Sequence, residues 1–348
     1  MTSKTFTAVP STQTAALYRP GDINLNIIHD YPVPKPGKGE VLLKVLAAGV
    51  CHSDTTLLSG ALLDTRTYVL GHEIAGEVVE YGEGVNRDHI RMKQLYIILA
   101  ADHKDHGMNG SAAFLNSIGI GMDGGFAEYL KVRTDNLVPA PSGMLPEVAA
   151  IAADAGITAF DAVHNKAGAM AQSPYSVGGL GHLAVQYAKH FGATVYACDY
   201  KPEARQLALE LGAIEAFSLI ELTNKIKEGF TVNTTIDFLA NGQSFQMALD
   251  LLKGNGVEFP SKATAVLVGV TLENLTLNSI EVLTSGINLI STTYGSRKDA
   301  ESALDLFAKG IVRPIVSTES LHNVNDVIDE LRASKVRGRK VVIPSRKH

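Results

Sequence analysis

The chain has 348 residues, which is more than one hydrophobic core usually organises, and this length predicts two domains. A hydrophobic content of 45% is that of an ordinary globular protein, and a net charge of -5 argues against nucleic acid or an anionic membrane as a partner. Two cysteines exclude a disulfide framework and fit a reducing compartment or a metal site. No apolar run has membrane-spanning length, and no signal peptide is recognisable, so the predicted location is cytoplasmic.

The first part of the chain has the pattern of β-structure. Strands are predicted at 40–46, 74–81 and 126–132, and the stretch 100–125 resembles a loop. The first strand leads to Cys51 in a turn, and the second strand leaves His72. A thiolate and an imidazole are ligand types that catalytic zinc favours, so these two residues form a candidate metal pair.

After Pro141 the pattern changes to alternating helices and strands. A helix is predicted from Pro146 with helix formers continuing over 157–170, and Pro174 predicts that the next strand is short. Further helices are predicted at 180–191, 202–211 and 245–252, with strands at 193–198, 234–239 and 263–269. This alternation predicts a parallel sheet with helices on both faces.

A glycine-rich turn precedes the helix at 180–191. Gly178, Gly179, Leu180 and Gly181 would let bare backbone approach a pyrophosphate at the helix N-terminus, and Ser176 stands where the usual motif has its first glycine. A tight turn without a ligand is the alternative.

A carboxylate follows the next predicted strand. Asp199 would bond ribose hydroxyls and repel a 2′-phosphate, which favours NAD over NADP. Lys201 and Arg205 weaken this preference because either cation could neutralise a phosphate.

Six segments, in order along the chain, resemble the medium-chain zinc alcohol dehydrogenases. They are Cys51–Asp54, Gly71–Glu73, Asp123–Tyr129, Gly178–Gly181, Tyr294–Arg297 and Gly338–Val342. The resemblance, from about residue 15 to residue 344, implies an α/β protein of two domains. Residues 1–160 and 296–348 would form a GroES-like, mainly-β catalytic domain, and residues 161–295 a doubly wound parallel-sheet Rossmann domain.

The resemblance implies one catalytic zinc. Cys51 and His72 would be ligands, Glu73 a nearby carboxylate that can exchange onto the metal, and Asp154 the third protein ligand. Most relatives have cysteine at this third position, but some bacterial secondary-alcohol enzymes are similar in having aspartate, which is a legitimate zinc ligand. A helix cap or exposed acid is the alternative for Asp154, and a buried thiol beside a satisfied histidine is the alternative for the pair.

Four further residues take roles from the same resemblance. Ser53 would accept the alcohol proton, and Asp54 would orient His72 through its free ring N–H. His52 and Arg339 would contact the cofactor pyrophosphate. The alternatives are a turn serine for Ser53 and a helix N-cap for Asp54. For His52 and Arg339 the alternative is a solvated cation.

Two departures from the family also shape the prediction. The four cysteines of the usual structural zinc are missing, so one zinc per chain is expected; an Asp/His loop at 102–106 is an alternative metal site. Thr56 stands where many relatives have a histidine of the proton relay, so proton release would end at the ribose or solvent.

The predicted function is that of a zinc-dependent oxidoreductase, which transfers hydride between a nicotinamide cofactor and an alcohol, aldehyde or ketone. Specialised metabolism is one expected physiological setting for this reaction. One alternative is an NADPH-dependent reductase of an activated C=C or C=N bond with a non-essential or absent zinc. Another is a non-catalytic binding protein that retains the fold. The expected substrate is a small molecule. The resemblance also implies pairing with a second copy of the chain through 276–291, with a tetramer as the alternative assembly.

Overall fold

The computed structural model describes residues 8–60, 64–101, 116–168, 173–175, 178–253 and 263–345. The chain divides into two compact units. Unit 1 comprises residues 1–153, 316–336 and 340–348, and unit 2 comprises 154–315 and 337–339. The domain boundaries at 160/161 and 295/296 stay a prediction; the division by compactness assigns 154–160 and 296–315 to unit 2. Within the described ranges, no helix is long and apolar enough to cross a membrane.

The strands are numbered in chain order. They are β1 Thr12–Tyr18, β2 Asn26–Pro32, β3 Glu40–Val50, β4 Tyr68–Val69, β5 Glu73–Tyr81, β6 Leu95–Ile98, β7 Ser117–Ile118, β8 Gly121–Met122, β9 Tyr129–Arg133, β10 Leu137–Pro139, β11 Ser173–Tyr175, β12 Val195–Cys198, β13 Glu215–Phe217, β14 Thr234–Asp237, β15 Thr264–Leu267, β16 Asn288–Ser291, β17 Val316–Ser320 and β18 Arg339–Ile343.

The helices are numbered in the same way. They are α1 His52–Leu58, α2 Pro146–Ile151, α3 Ile157–Phe160, α4 Gly181–His190, α5 Pro202–Leu211, α6 Leu219–Lys227, α7 Gly242–Leu252, α8 Ser279–Ser285, α9 Arg297–Ala308 and α10 Val324–Arg332. Short 3₁₀ turns lie at Thr134–Asn136 and Leu321–Asn323, and π-helical turns at Ala152–Gly156 and Asp161–Lys166.

Unit 1 is built around antiparallel sheets. The larger sheet has the order β10-β6-β5-β3-β18-β17, and β9 also pairs with β3. A second sheet has the order β2-β1-β4. β3 is buried along most of its length, because α2 packs across it and across β5. The β3–β5 pair therefore forms the buried base from which the segments that carry Cys51 and His72 leave.

Unit 2 is a parallel sheet with helices between successive strands. The strand order is β13-β12-β11-β14-β15-β16, and every described pair is parallel. The order reverses between β11 and β14, and such a switch point is where open α/β sheets bind ligands at the carboxyl ends of their strands. One apolar cluster between this sheet and α7 is centred on Phe217, Phe245 and Leu249.

Most of the predicted elements are confirmed by the structure. β3, β5 and α5 cover the predicted segments, and α4 is one residue shorter than predicted at each end. The strand containing Pro174 is three residues long, as expected. The strand predicted at 126–132 starts later, at Tyr129. The residues before it contact β1 instead, where Ala127 forms an isolated bridge with Ala15 and the Ala16 N–H donates to the Phe126 carbonyl. The segment after α2 is helical but not uniformly α, since π turns interrupt it. Most of the predicted loop at 100–125 lies outside the described residues.

Candidate active site

The strand β3 carries Cys51 to the first turn of α1. Cys51 has an extended backbone with φ -116° and ψ 158°, and its side chain is buried. The Asp54 carboxylate, three residues later, accepts the Cys51 N–H at 2.9 Å. The N-cap of α1 is Cys51, and Asp54 stands at N3, where its carboxylate completes a capping box. The N-cap alternative for Asp54 is therefore wrong.

The other carboxylate oxygen of Asp54 points to the second candidate ligand. His72 Nδ1 lies 3.5 Å from Asp54 Oδ1, and both side chains are buried. A carboxylate on one ring nitrogen of a histidine leaves the other nitrogen to act as a metal ligand. Asp54 thus connects the positions of Cys51 and His72.

Glu73 begins β5 and is completely buried. Its cross-strand partner is Gly49 of β3. A Cβ on Gly49 would lie 2.0 Å from Glu73 Oε2, so only glycine leaves room for this carboxylate. The sequence reasoning missed Gly49, because its role depends on the β3–β5 register.

Asp154 lies in the π-helical turn that follows α2. π-helical turns occur frequently at functional sites. The residue is 8% exposed, and its carboxylate Oδ1 accepts a hydrogen bond from the Thr158 hydroxyl at 3.2 Å. The boundary between the two units falls just before Asp154, inside this continuous helical segment, so α2 carries the residue to its position.

Cys51, His72, Glu73 and Asp154 converge on one point. One possible ligand atom from each of the four lies within 4.8 Å of those of the other three. A thiol, an imidazole and carboxylates are the donors that zinc binds in proteins. The four residues predicted from the sequence as metal ligands are therefore the four that the fold brings together.

The remaining predicted residues of this segment lie on α1. Ser53 is partly buried, and its Oγ lies 3.8 Å from Cys51 Sγ. His52 is exposed at the first position of the helix, and its role as a pyrophosphate contact stays a prediction. Thr56 donates its hydroxyl proton to the His52 carbonyl at 3.1 Å, as is common for a helical threonine.

The glycine turn at 178–181 connects β11 to α4. The Arg339 side chain lies against it: a Cβ on Gly179 would be 2.6 Å from Arg339 Nη1. The buried guanidinium is therefore placed beside the backbone that would face a pyrophosphate. Ser176 lies outside the described residues.

Asp199 follows β12 at the carboxyl edge of the parallel sheet. Its carboxylate accepts the Lys201 N–H at 3.0 Å, which holds the side chain at the strand end. Arg205 donates from Nη1 to the carbonyls of Asp199 and Tyr200, at 2.9 and 3.1 Å. Because the guanidinium is engaged by backbone, it is less able to neutralise a 2′-phosphate than the sequence indicated.

A small cavity of about 80 Å³ lies beside Asp199 and includes Asp237 at the end of β14. Asp237 accepts the N–H groups of Leu239 and Ala240 and the hydroxyl of Ser244, which fixes the next loop. Cys198 also lines the cavity; burial, followed by the charge of Asp199, raises the pKa of its thiol to about 12. It is therefore a protonated, unreactive thiol, unlike a metal ligand.

The Asp/His loop at 102–106 lies outside the described residues. The usual structural zinc requires four cysteines, and the whole chain contains two.

Similarity to known proteins covers both units. Residues 37–142 match the alcohol dehydrogenase GroES-like domain family, and residues 179–309 match the zinc-binding dehydrogenase family. An alcohol dehydrogenase from Geobacillus stearothermophilus is 32% identical over 330 residues, which cover 89% of this chain and 93% of that protein.

Many solved structures resemble most of this chain, and two serve as examples. One is acetophenone reductase from Geotrichum candidum in complex with NAD, at 29% identity and a TM-score of 0.83, covering 97% of this chain and 99% of the other. The alcohol dehydrogenase of Aeropyrum pernix has the same TM-score at 28% identity, covering 95% and 100%. These matches confirm the GroES-like and Rossmann-like folds that the sequence implied. The chain therefore belongs to the medium-chain, zinc-containing alcohol dehydrogenase family and is an NAD(P)-dependent oxidoreductase.

Proposed function

We propose that this chain is a zinc-dependent dehydrogenase that transfers hydride between NAD(H) and a small alcohol, aldehyde or ketone. The observation that carries the proposal is the convergence of Cys51, His72, Glu73 and Asp154. The similarity to named alcohol dehydrogenases and to an NAD-bound reductase supports the same chemistry.

The donor set fits one zinc ion. The Cys51 thiolate and the Asp154 carboxylate together carry two negative charges, which balance a divalent cation. His72 contributes a neutral nitrogen. Buried acids this close together repel one another, and a cation relieves that repulsion. Cys51, His72 and Asp154 would hold the ion, with Glu73 as the exchanging carboxylate. When bound, zinc supplies a Lewis acid that polarises a carbonyl or lowers the pKa of an alcohol.

The chain's own residues would manage the proton and the geometry. The Ser53 hydroxyl, next to the Cys51 thiol, is suited to accept the alcohol proton and pass it outward. Asp54 would keep the His72 ring in one orientation, because it faces Nδ1 while its other oxygen is fixed by the Cys51 N–H. Thr158 would hold Asp154 in the same way through its hydroxyl.

The cofactor proposal is NAD, bound to unit 2. When bound, the nicotinamide accepts or donates the hydride. The turn at 178–181 offers backbone N–H groups at the start of α4, and Arg339 adds a positive charge beside them. Asp199 favours a ribose with a free 2′-hydroxyl, because a phosphate there would meet a like charge.

Metal analysis combined with turnover tests this function. The purified protein should contain about one zinc per chain and oxidise an alcohol with NAD. Cys51→Ala should lose both the zinc and turnover but keep NADH affinity, whereas Cys198→Ala should keep the zinc. A metal-free protein with full activity would disprove the zinc mechanism, and failure to bind either NADH or NADPH would favour a non-catalytic role.

We also propose that the chain forms a homodimer through the edge of the parallel sheet. β16 is the last strand in the described order, and an exposed edge strand is prone to pair with another chain. Large apolar side chains in the chain segment that precedes β16 are exposed, including Leu272 at 68%, Ile280 at 69% and Leu283 at 78%. Sedimentation velocity should give twice the 37.1 kDa chain mass, and Leu283→Glu should shift the protein to monomer. A monomeric wild type would refute the pairing, and a tetramer would require a further interface.

A further inference from the structure

His182 is completely buried at the second position of α4, directly after the glycine turn. Neither the catalytic chemistry nor the cofactor contacts described above use this side chain. Both ring nitrogens nevertheless have specific backbone partners. Nδ1 lies 3.3 Å from the Gly178 carbonyl oxygen, and Nε2 accepts the Ile315 N–H at 3.2 Å.

These two partners define one protonation state. An imidazole nitrogen that accepts a backbone N–H carries no proton, so the single ring proton of a neutral histidine must sit on Nδ1. There it donates to the Gly178 carbonyl. Burial is the main cause that lowers the pKa of His182 to about 4, and the nearby Arg339 charge acts in the same direction. The ring is therefore neutral near pH 7.

Ile315 passes the connection on to Arg339. Its carbonyl accepts the Arg339 N–H at 2.8 Å, while its own N–H is bound to His182. The Arg339 side chain then lies against Gly179. All of these residues belong to unit 2. A closed path of contacts results, running from the glycine turn through His182 and Ile315 to Arg339 and back to the turn.

A second side chain supports the same segment. Gln186, one helical turn after His182, accepts the Arg313 N–H at 2.8 Å and donates to the Arg313 carbonyl at 3.2 Å. One face of α4 thus holds the backbone of residues 313–315 at two points. This makes Ile315 a fixed support for Arg339 and not a mobile loop residue.

We propose that neutral His182 is a positioning residue for cofactor binding, which aligns the glycine turn and the Arg339 guanidinium as one anion-binding surface for the dinucleotide pyrophosphate. The inference rests on the proposed binding of NAD at residues 178–181. Pre-organised donors save the ordering cost that a ligand would otherwise meet on binding. His182 is not expected to affect the hydride step itself.

Three substitutions separate hydrogen bonding from packing. His182→Leu keeps much of the volume but neither hydrogen bond. His182→Asn keeps a donor near Nδ1 but cannot reach the Ile315 N–H. His182→Gln offers both a donor and a longer acceptor. Tyr187→Phe, at another fully buried position of α4, is the matched control, because the Tyr187 hydroxyl has no hydrogen-bond partner among the residues that the structure describes.

NADH affinity is the main readout, measured from the cofactor's own fluorescence because the chain has no tryptophan. Loss of one such bond should raise the NADH Kd of His182→Leu and His182→Asn roughly tenfold. The KM for NAD should rise by a similar factor, while kcat at saturating NAD stays within about twofold. His182→Gln and Tyr187→Phe should bind NADH like the wild type, and all variants should keep their zinc.

A double-mutant cycle with Arg339→Ala tests the path itself. If His182 acts through Arg339, the combined His182→Asn and Arg339→Ala protein should bind NADH about as weakly as Arg339→Ala alone. Full additivity would overturn the inference. Wild-type NADH affinity in His182→Asn would also overturn it. So would a folded His182→Gln that binds NADH as weakly as His182→Asn, because His182 would then have only a packing role. If His182→Leu does not fold, the comparison of Asn with Gln still decides. A wild-type protein that does not bind NADH would instead refute the proposed function and, with it, the inference.

Discussion

Lowering the pH from 7 to 5 should destabilise the folded chain through His182, and replacing this residue should remove that sensitivity. In the folded state, burial lowers the His182 pKa from its ordinary value of 6.5 to about 4. The unfolded chain therefore binds a proton at this side chain below pH 6.5, while the folded chain does not until about pH 4. The stability that this difference contributes is present above pH 6.5 and is lost as the pH falls.

The magnitude follows from linkage. One unit of pKa corresponds to about 1.4 kcal/mol, so the shift amounts to about 3 kcal/mol across the whole window. Between pH 7 and pH 5 alone, about 2 kcal/mol should be lost. The sign is the same whichever group lowers the pKa, because both burial and the Arg339 charge disfavour the protonated ring.

Urea unfolding of wild type and His182→Gln at pH 7, 6 and 5 measures this effect. Circular dichroism is the suitable probe, since tryptophan is absent. All titratable groups other than residue 182 are common to both proteins, so the difference between the two proteins isolates His182. Wild type should lose about 2 kcal/mol more than the variant between pH 7 and 5. Parallel losses in the two proteins would show that the histidine is not held neutral, and would refute the reasoning.

Three further predictions concern other positions. Gly49→Ala should cost about 1–3 kcal/mol in urea unfolding and weaken zinc retention, because its Cβ would displace Glu73; an unchanged metal content would contradict this role. Tyr187→Phe should raise the free energy of unfolding by about 1 kcal/mol, since it removes a buried hydroxyl that lacks a partner among the described residues, and a loss of stability would indicate a partner. Asp199→Ser should improve the NADPH Kd about tenfold or more by removing a like charge, measured by fluorescence titration; an unchanged ratio of NADPH to NADH affinity would exclude Asp199 from cofactor choice.

The sequence was sufficient where a site is made of local segments. Cys51 and Asp54 are three residues apart, so their shared helix start could be predicted from a short motif. The glycine turn could be predicted because a helical pattern follows it immediately. The alternating second half likewise predicted a parallel sheet, which the described strands form.

The sequence was insufficient where partners meet through the fold. His182 and Ile315 are 133 positions apart, and no local pattern at either residue indicates their hydrogen bond. Gly49 faces Glu73 only in one register of β3 and β5. A slip of one residue would turn the alternate side chains to the other face, so this contact requires the pairing itself. Thr158 is close to Asp154 in sequence, but its role is visible only once both lie on one helical face.

The candidate metal cluster and the candidate pyrophosphate site are supported by different parts of the chain. Cys51 directly follows β3, His72 directly precedes β5, and Glu73 is the first residue of β5. Asp154 follows α2, which packs on β3 and β5. The pyrophosphate site depends on α4, residues 313–315 and Arg339. Arg339 is the first residue of β18, which pairs with β3, but the side chains that would hold zinc and those that would hold the pyrophosphate are different ones. Cys51→Ala should therefore remove zinc without weakening NADH, and His182→Asn should weaken NADH without removing zinc. Turnover by the proposed mechanism requires both, so only separate binding measurements can tell which site a damaging substitution has affected.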